Sequence, residues 1–394
     1  MTTSTAAGEP TDGVTIGVEE EFLLVDADTA APAALAPAVL ASARQSDLST
    51  TRFHSELFAS QVEASTGVCR DLAELGAQIR HGREVLTAAA AERGLRLAAT
   101  GVPIVDGPPV PVSEGERFAA ISTRFSALMA DYQASGCHVH IGVADPDTAT
   151  AVLNHLSPWL PTLLALSTNS PVRGGRDRGQ ASLRIADQTR FPGFGLPPWA
   201  ASAADYDRHV DRLIDCGVLV DERMSFWLVR RSAHLPTVEL RVADTMVRPW
   251  ETLLQAALSR ALVRTALTEL ALGHEAGPVD PQVGAAAVWT AARFGLDGPA
   301  VDPVRARPTT ITDRVTELTR WVGPALAQTS DTDFVRAALT ALADHGTGAR
   351  RQREAARHGI AGLRSAVTAQ VDAIDARTAP CDPPTSGPLA TPTK

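Results

Sequence analysis

Gly17-Val18-Glu19-Glu20-Glu21-Phe22-Leu23-Leu24-Val25 sets three consecutive carboxylates inside a run built otherwise of residues that favour strands. Strand side chains alternate between faces, so Glu19 and Glu21 share one face and Glu20 takes the other. A helix would rotate successive residues by only about 100° and could not oppose Glu20 to both neighbours. Burying ionised carboxylates is costly. Two readings therefore stand: a hard divalent cation such as Mg²⁺ or Mn²⁺ neutralises Glu19 and Glu21, or the segment is an edge strand with a solvated acidic face.

Four further segments repeat the theme. Ser55-Glu56-Leu57-Phe58-Ala59-Ser60-Gln61-Val62-Glu63 carries carboxylates seven apart, which suits one helical face or two short segments meeting at a point. The bland alternative is a surface pair. In Gly136-Cys137-His138-Val139-His140-Ile141-Gly142 the two imidazoles share a face and the apolar residues line the other. Such imidazoles are metal ligands or hydrogen-bonded core residues. In Pro236-Thr237-Val238-Glu239-Leu240-Arg241-Val242-Ala243-Asp244, Glu239 and Arg241 share a face, as an in-strand ion pair or as a metal ligand beside a phosphate-binding guanidinium. Finally, the glycine- and arginine-rich stretch 173–184 runs into a strand-like segment. It reads as a phosphate cradle or as a solvated loop. Together these residues suit ATP handled by two divalent ions, with arginines on the transferred phosphoryl group.

Composition narrows the chemistry. The chain has 394 residues, of which 44% are hydrophobic, enough for one large domain or two ordinary ones. A net charge of −9 argues against nucleic acid as the main partner. Lys394 is the only lysine, so a P-loop lysine, a Schiff-base lysine and a carboxylated bridging lysine are excluded. Cys69, Cys137, Cys216 and Cys381 show neither metal nor redox spacing, as in a reducing compartment. Met1-Thr2-Thr3-Ser4-Thr5 lacks the basic and apolar regions of a secretory leader, so none is expected, and no apolar run is long enough to span a bilayer. The expected location is the cytoplasm. The oligomeric state is left open, a homo-oligomer included.

Alternation and turn signals predict strands near 14–25, 52–64, 95–102, 136–143, 181–187, 225–231 and 236–243. Helices are predicted near 71–93, 117–132, 147–168, 250–273, 313–328, 331–345 and 349–376, the third of them broken at Pro158 and Pro161. Strands before about residue 245 and helices after it predict an α+β fold with an antiparallel sheet. The expected organisation is a disordered N-terminus over 1–12, one catalytic domain over 13–377, helical from about 247, and a disordered proline-rich tail over 378–394.

Six segments, 17–22, 56–63 with 66–70, 136–142, 169–171, 236–244 and 346–353, resemble in their order the glutamate–cysteine ligase type 2 family. They are closer still to its carboxylate–amine ligase branch. The resemblance runs over roughly residues 14–360. It implies a glutamine-synthetase-like catalytic fold whose curved antiparallel sheet, flanked by helices, holds ATP and divalent metals on its concave face. It also implies metal-ligand places for Glu19, Glu21, Glu56, Glu63, His138 and Glu239. Arg184 and Arg241 take the places of arginines near the transferred phosphate, which makes them the expected catalytic and nucleotide-binding residues. His140 lies beside His138 without an assigned role. The sequence departs from the family pattern at Val172-Arg173, Asp177-Arg178-Gly179 and Leu228, in a middle region expected to shape the amino-acid pocket.

The activity implied is an ATP-dependent carboxylate–amine ligase. It would join glutamate to a cysteine-type amine through an acyl phosphate, releasing ADP and phosphate and requiring Mg²⁺ or Mn²⁺. The identity of the amine stays open. A metal-dependent hydrolase using the His138/His140 pair is the alternative, and a binding protein that merely keeps the fold is a third reading.

Overall fold

The structure is a computed structural model describing residues 12–46 and 49–371. The N-terminus, apart from Asp12, and the proline-rich tail, both expected to be disordered, lie outside the described residues. The strands are β1 (Ile16–Asp26), β2 (Arg52–Ser55), β3 (Gln61–Ser65), β4 (Leu95–Ala98), β5 (Gly136–Gly142), β6 (Val172–Arg173), β7 (Arg176–Asp177), β8 (Val229–Arg231), β9 (Thr237–Asp244), β10 (Pro299–Asp302) and β11 (Arg307–Thr310). Seven of them form one sheet in the order β2-β3-β1-β5-β9-β8, with β4 also on β1. Every pairing in it is antiparallel. Leu23 pairs with both Gln61 and Ala98, so β4 lies on the edge of β1 away from β3, end to end with β5.

Alternation decides what each face does. On β1, Ile16 and Val18 join the large core, and Phe22 and Leu24 a second one. The opposite face carries Glu19 and Glu21, then continues as Leu23 and Val25 in a third cluster. On β5 and β9, Cys137, Val139, Ile141, Val238, Leu240 and Val242 pack into the large core with Leu153, Leu163 and Leu254. Those leucines lie on the helices Pro146–Leu156, Leu160–Ser167 and Pro249–Ala271. One sheet face is thus closed by helices, which leaves the acidic and imidazole side chains to the other. No helix among the described residues is long and apolar enough to cross a membrane.

Several expectations need correction. The run 52–64 is two strands around a turn, because its central residues 56–60 leave the ladder. The 95–102 and 225–231 strands shorten to β4 and β8. The segment 181–187 is not a strand but the helix Leu183–Gln188. Ser182 caps it by accepting from the Ile185 amide. The helical C-terminal part also contains the small β10–β11 hairpin. Helices Ala36–Ser46 and Ala203–Asp215 were not expected. The predicted break at Pro158 is there, as a 3₁₀ turn over Ser157–Trp159.

Candidate active site

The sheet register assembles the charged face. Glu19 lies opposite His138 on β5, and Glu21 lies opposite Glu63 on β3. Glu239 on β9 lies opposite His140 on one side and Arg230 on the other. Glu56 arrives from the turn after β2. Ser113 holds that turn, its Oγ donating to the Glu56 carbonyl at 2.5 Å and its amide to the Leu57 carbonyl at 2.9 Å.

Two groups of potential ligands result. Glu19, His140 and Glu239 bring ligand atoms within 4.8 Å of one another, and so do Glu21, Glu56 and Glu63. His138 stands between the groups, with Nδ1 3.2 Å from Glu19 and Nε2 3.5 Å from Glu21. All six residues expected as ligands therefore lie together. His140, left without a role by the sequence, belongs to the first group, its Nε2 3.4 Å from Glu19. Its Nδ1 meets the Thr237 hydroxyl at 2.9 Å, which fixes the ring.

Two like charges about 4 Å apart repel by roughly 4 kcal/mol even at an effective dielectric of 20. In the second group, burial and this repulsion together raise two carboxyls. Burial, reinforced by the Glu21 charge, pushes the Glu56 carboxyl up to about 8. Burial, with Glu19 and Glu56 nearby, raises Glu63 well above the usual carboxylate range. The first group is balanced differently. Against the cost of burial, hydrogen bonds from His138 and His140 hold Glu19 well below its ordinary value. Arg230 and Arg241, again against burial, do the same for Glu239. Burial and the Arg241 charge lower His138. His140 is raised, because the Glu19 hydrogen bond and the Glu239 charge outweigh burial.

These residues fit divalent cations. The donors are hard carboxylate oxygens with one or two imidazoles. Nε2 of His138 and of His140 are buried and each faces a carboxylate oxygen, at 3.5 Å from Glu21 and 3.4 Å from Glu19, longer than a close hydrogen bond. A cation among Glu21, Glu56 and Glu63 would offset the burial and the mutual repulsion that raise Glu56 and Glu63.

Arginines complete the face. Arg241 donates through Nη1 to Glu239 and lies 3.4 Å from His138 Nδ1. Arg230, which the sequence reading missed as a site residue, grips Glu239 with two nitrogens at 2.7 and 3.1 Å. Its signal was the match of Trp227-Leu228-Val229-Arg230 to the family pattern, in which the arginine was kept and only Leu228 departed. Arg184 comes from the helix Leu183–Gln188, and its Nη2 donates to the Arg241 carbonyl at 2.9 Å. A cleft of about 140 Å³ is lined by Glu21, Glu56, His138, Arg184 and Arg241, with Arg117, Arg223 and Phe226 also lining it. Arg117 is tied to Asp221 by two bonds of 2.7 and 3.2 Å. None of Val172, Arg173, Asp177, Arg178, Gly179 and Leu228 lines this cleft. Val172 and Leu228 are core residues, and Arg173 pairs with Asp187.

The sequence matches the family described as glutamate-cysteine ligase family 2 over residues 15–369. A protein of Saccharopolyspora erythraea provisionally named glutamate–cysteine ligase 2-2 is 53% identical over 372 residues, 93% of this chain and 95% of that protein. A Nocardia farcinica protein provisionally named glutamate–cysteine ligase 2-1 is 41% identical over 378 residues, covering 95% of this chain and 97% of its own. Among solved structures, the fold is shared with a Francisella tularensis glutamate–cysteine ligase in complex with AMP, at a TM-score of 0.65 and 13% identity, over 91% of this chain and 88% of that one. A bifunctional glutathione synthetase from Pasteurella multocida gives the same TM-score at 18% identity, over 90% of this chain and 51% of the other. The expected α+β, glutamine-synthetase-like fold holds. The chain belongs to glutamate–cysteine ligase family 2 and is an ATP-dependent ligase.

Proposed function

We propose that the protein activates a carboxylate, the γ-carboxylate of glutamate, with ATP and joins it to an amine of the cysteine type. A carboxylate is a poor electrophile, and its oxygen a poor leaving group. In the proposed first step a carboxylate oxygen attacks the γ-phosphorus and the bond to the β-phosphate oxygen breaks, giving an acyl phosphate and ADP. In the second, the amine nitrogen attacks the acyl carbon, loses a proton, and phosphate leaves with the C–O electron pair. The net products are amide, ADP and phosphate.

The observation that carries this reading is a cleft lined by Glu21, Glu56, His138, Arg184 and Arg241, with the Glu19, His140 and Glu239 group directly behind His138 and Arg241. Glu19, His140 and Glu239 would hold one Mg²⁺ or Mn²⁺, and Glu21, Glu56 and Glu63 another, with His138 between them. When bound, these ions supply charge neutralisation to the polyphosphate. Arg241 reaches the cleft beside His138, placed to bind the transferred phosphoryl oxygens. Arg184 lines the same cleft and has one buried nitrogen, Nε, without a partner. Arg230 holds Glu239 in place. Residues 13–377 are proposed as one catalytic domain, acting in the cytoplasm.

The hydrolase alternative is less well supported. His138 and His140 both flank Glu19 and fall in no common ligand group. The deciding experiment is ADP release from purified protein with Mg²⁺, glutamate and a panel of amines, alongside pyrophosphate detection. ADP and phosphate formed only when acid and amine are both present support ligation. Stoichiometric pyrophosphate overturns the acyl-phosphate route. Turnover with glutamate and an amine other than cysteine, and none with cysteine, removes the cysteine assignment alone.

A further inference from the structure

A second cavity, of about 680 Å³, lies outside the carboxylate groups. Ligand sites typically enclose roughly 300–1,000 Å³. Its walls come from the helices Pro146–Leu156, Leu183–Gln188 and Pro281–Phe294 and from the loops 194–199 and 277–281. Those loops are stiff and fastened. Pro197, Pro198, Pro278 and Pro281 fix the backbone. The Trp199 indole N–H donates to the Ala276 carbonyl at 2.8 Å and ties the two loops together. The Asn154 amide donates to the Ala200 carbonyl at 2.8 Å and anchors the first loop to its helix.

Its chemistry is one-sided. Phe194, Trp199 and Trp289 supply ring surface, and Trp289 is 56% exposed. Among the described residues, Asp280 is the only ionisable one in the lining. Its Oδ1 accepts from the Gln282 and Val283 amides at 2.9 and 3.0 Å, which holds the carboxylate at the rim. Indole faces attract cations, and so does a carboxylate. An anion would meet Asp280 and no compensating arginine.

The cavity and the cleft share one short element. On the helix Leu183–Gln188, Arg184 and Gln188 line the cleft, while Ile185 and Ala186 line the cavity. Six residues at about 1.5 Å each make a body roughly 9 Å long. A shift of this body displaces Arg184, whose guanidinium is fastened to the Arg241 carbonyl.

We propose that this cavity is an effector site for a flat organic monocation, an ammonium group on an aromatic body, and that its occupancy alters nucleotide affinity in the cleft through the helix Leu183–Gln188. The binding stands independently of the ligase reading, whereas the coupling rests on it.

The test uses the full chain and calorimetric titration with 2-(1-naphthyl)ethylammonium. The neutral 2-(1-naphthyl)ethanol and the anionic 1-naphthylacetate serve as comparisons. The cation should bind about 3- to 10-fold tighter than the neutral probe, and the anion most weakly. Trp289→Ala, at an exposed position, should weaken all three. Asp280→Ser keeps a helix-capping oxygen and should erase only the preference for the cation. Saturating cation should change the affinity for ADP with Mg²⁺, and that nucleotide should change the cation's affinity by the same factor. Absence of binding, or binding unaffected by Trp289→Ala, overturns the site. Equal binding of the neutral probe overturns the ligand class. Complete displacement by the nucleotide would put the probe in the cleft and overturn the separate site. Unchanged nucleotide affinity overturns the effector role. If the nucleotide itself fails to bind while the cation still responds to Trp289→Ala, the ligase reading falls and the cavity site is upheld.

Discussion

Arg83 grips Glu20 on the face of β1 opposite Glu19 and Glu21, with Nε 2.9 Å from Oε2 and Nη2 2.5 Å from Oε1. Arg83 also donates to the carbonyls of Met246, Val247 and Gln370, and Thr252 donates to Glu20. The middle carboxylate is therefore neutralised by the protein itself, while Glu21 faces the cleft and Glu19 faces the two histidines behind it.

Three substitutions separate these roles. Glu20→Gln leaves a buried guanidinium without its counter-charge and should cost roughly 3–5 kcal/mol of stability. The fraction that stays folded should keep most of its turnover. Glu19→Gln and Glu21→Gln should each lower kcat roughly 10²–10³-fold. Denaturant melts together with ADP-release assays across a Mg²⁺ titration read both effects. Equal losses of turnover at all three positions would end the face assignment.

Glu239 lies between two guanidiniums, but only one of them reaches the cleft lining. Arg241→Lys keeps the charge and loses the planar fork. It should lower kcat at least about tenfold while changing nucleotide affinity much less. Arg230→Lys should act indirectly, by loosening Glu239, and should raise the Mg²⁺ concentration needed for half-maximal rate. Steady-state kinetics over a metal titration distinguish the two. Parent-like turnover in Arg241→Lys reduces it to a salt-bridge partner.

The site should be linked to pH. Glu56 is ordinarily near 4.5 and is pushed up to about 8 in the folded chain. Folding then favours the protonated form. That contribution is fully present below about pH 4.5 and is lost as pH rises towards 8. Metal-free protein should thus lose stability across this interval, and Mg²⁺ should restore it at the alkaline end. Metal binding at neutral pH should release protons. Titrations in buffers of different ionisation enthalpy measure that release. Its absence would remove Glu56 from the ligand set.

Leu228, one of the departures from the family pattern, is 1% exposed and packs in the large core. Leu228→Asp should not retune the substrate pocket. It would bury an uncompensated charge and should destabilise the fold by more than about 3 kcal/mol. A thermal melt tests this. A stable variant with altered amine preference would contradict the placement.

Much of the site was legible because strand alternation is a local rule. The pairs Glu19/Glu21, His138/His140 and Glu239/Arg241 each share the face that their spacing assigned. The same rule misled at Ala181-Ser182-Leu183-Arg184-Ile185, where apolar residues also alternate with polar ones. Over so few residues period cannot separate a strand from a helix. The Ser182 cap and the buried Asp244, which accepts from Ser182 Oγ at 2.8 Å, decide for helix there.

The sequence by itself determined the α+β class, the faces of the central strands and the acidic, lysine-poor chemistry, because periodicity and residue type are properties of short segments. Only the tertiary structure decided that β3, β1, β5 and β9 lie side by side, and with that order which carboxylates meet. It brought Glu56 in from a turn and placed Arg230 against Glu239. It sorted His140 and His138 into different positions and removed Leu228 from the pocket. Those outcomes depend on strand order, register and helix packing, which are set by the burial of the opposite face and are carried by no single segment.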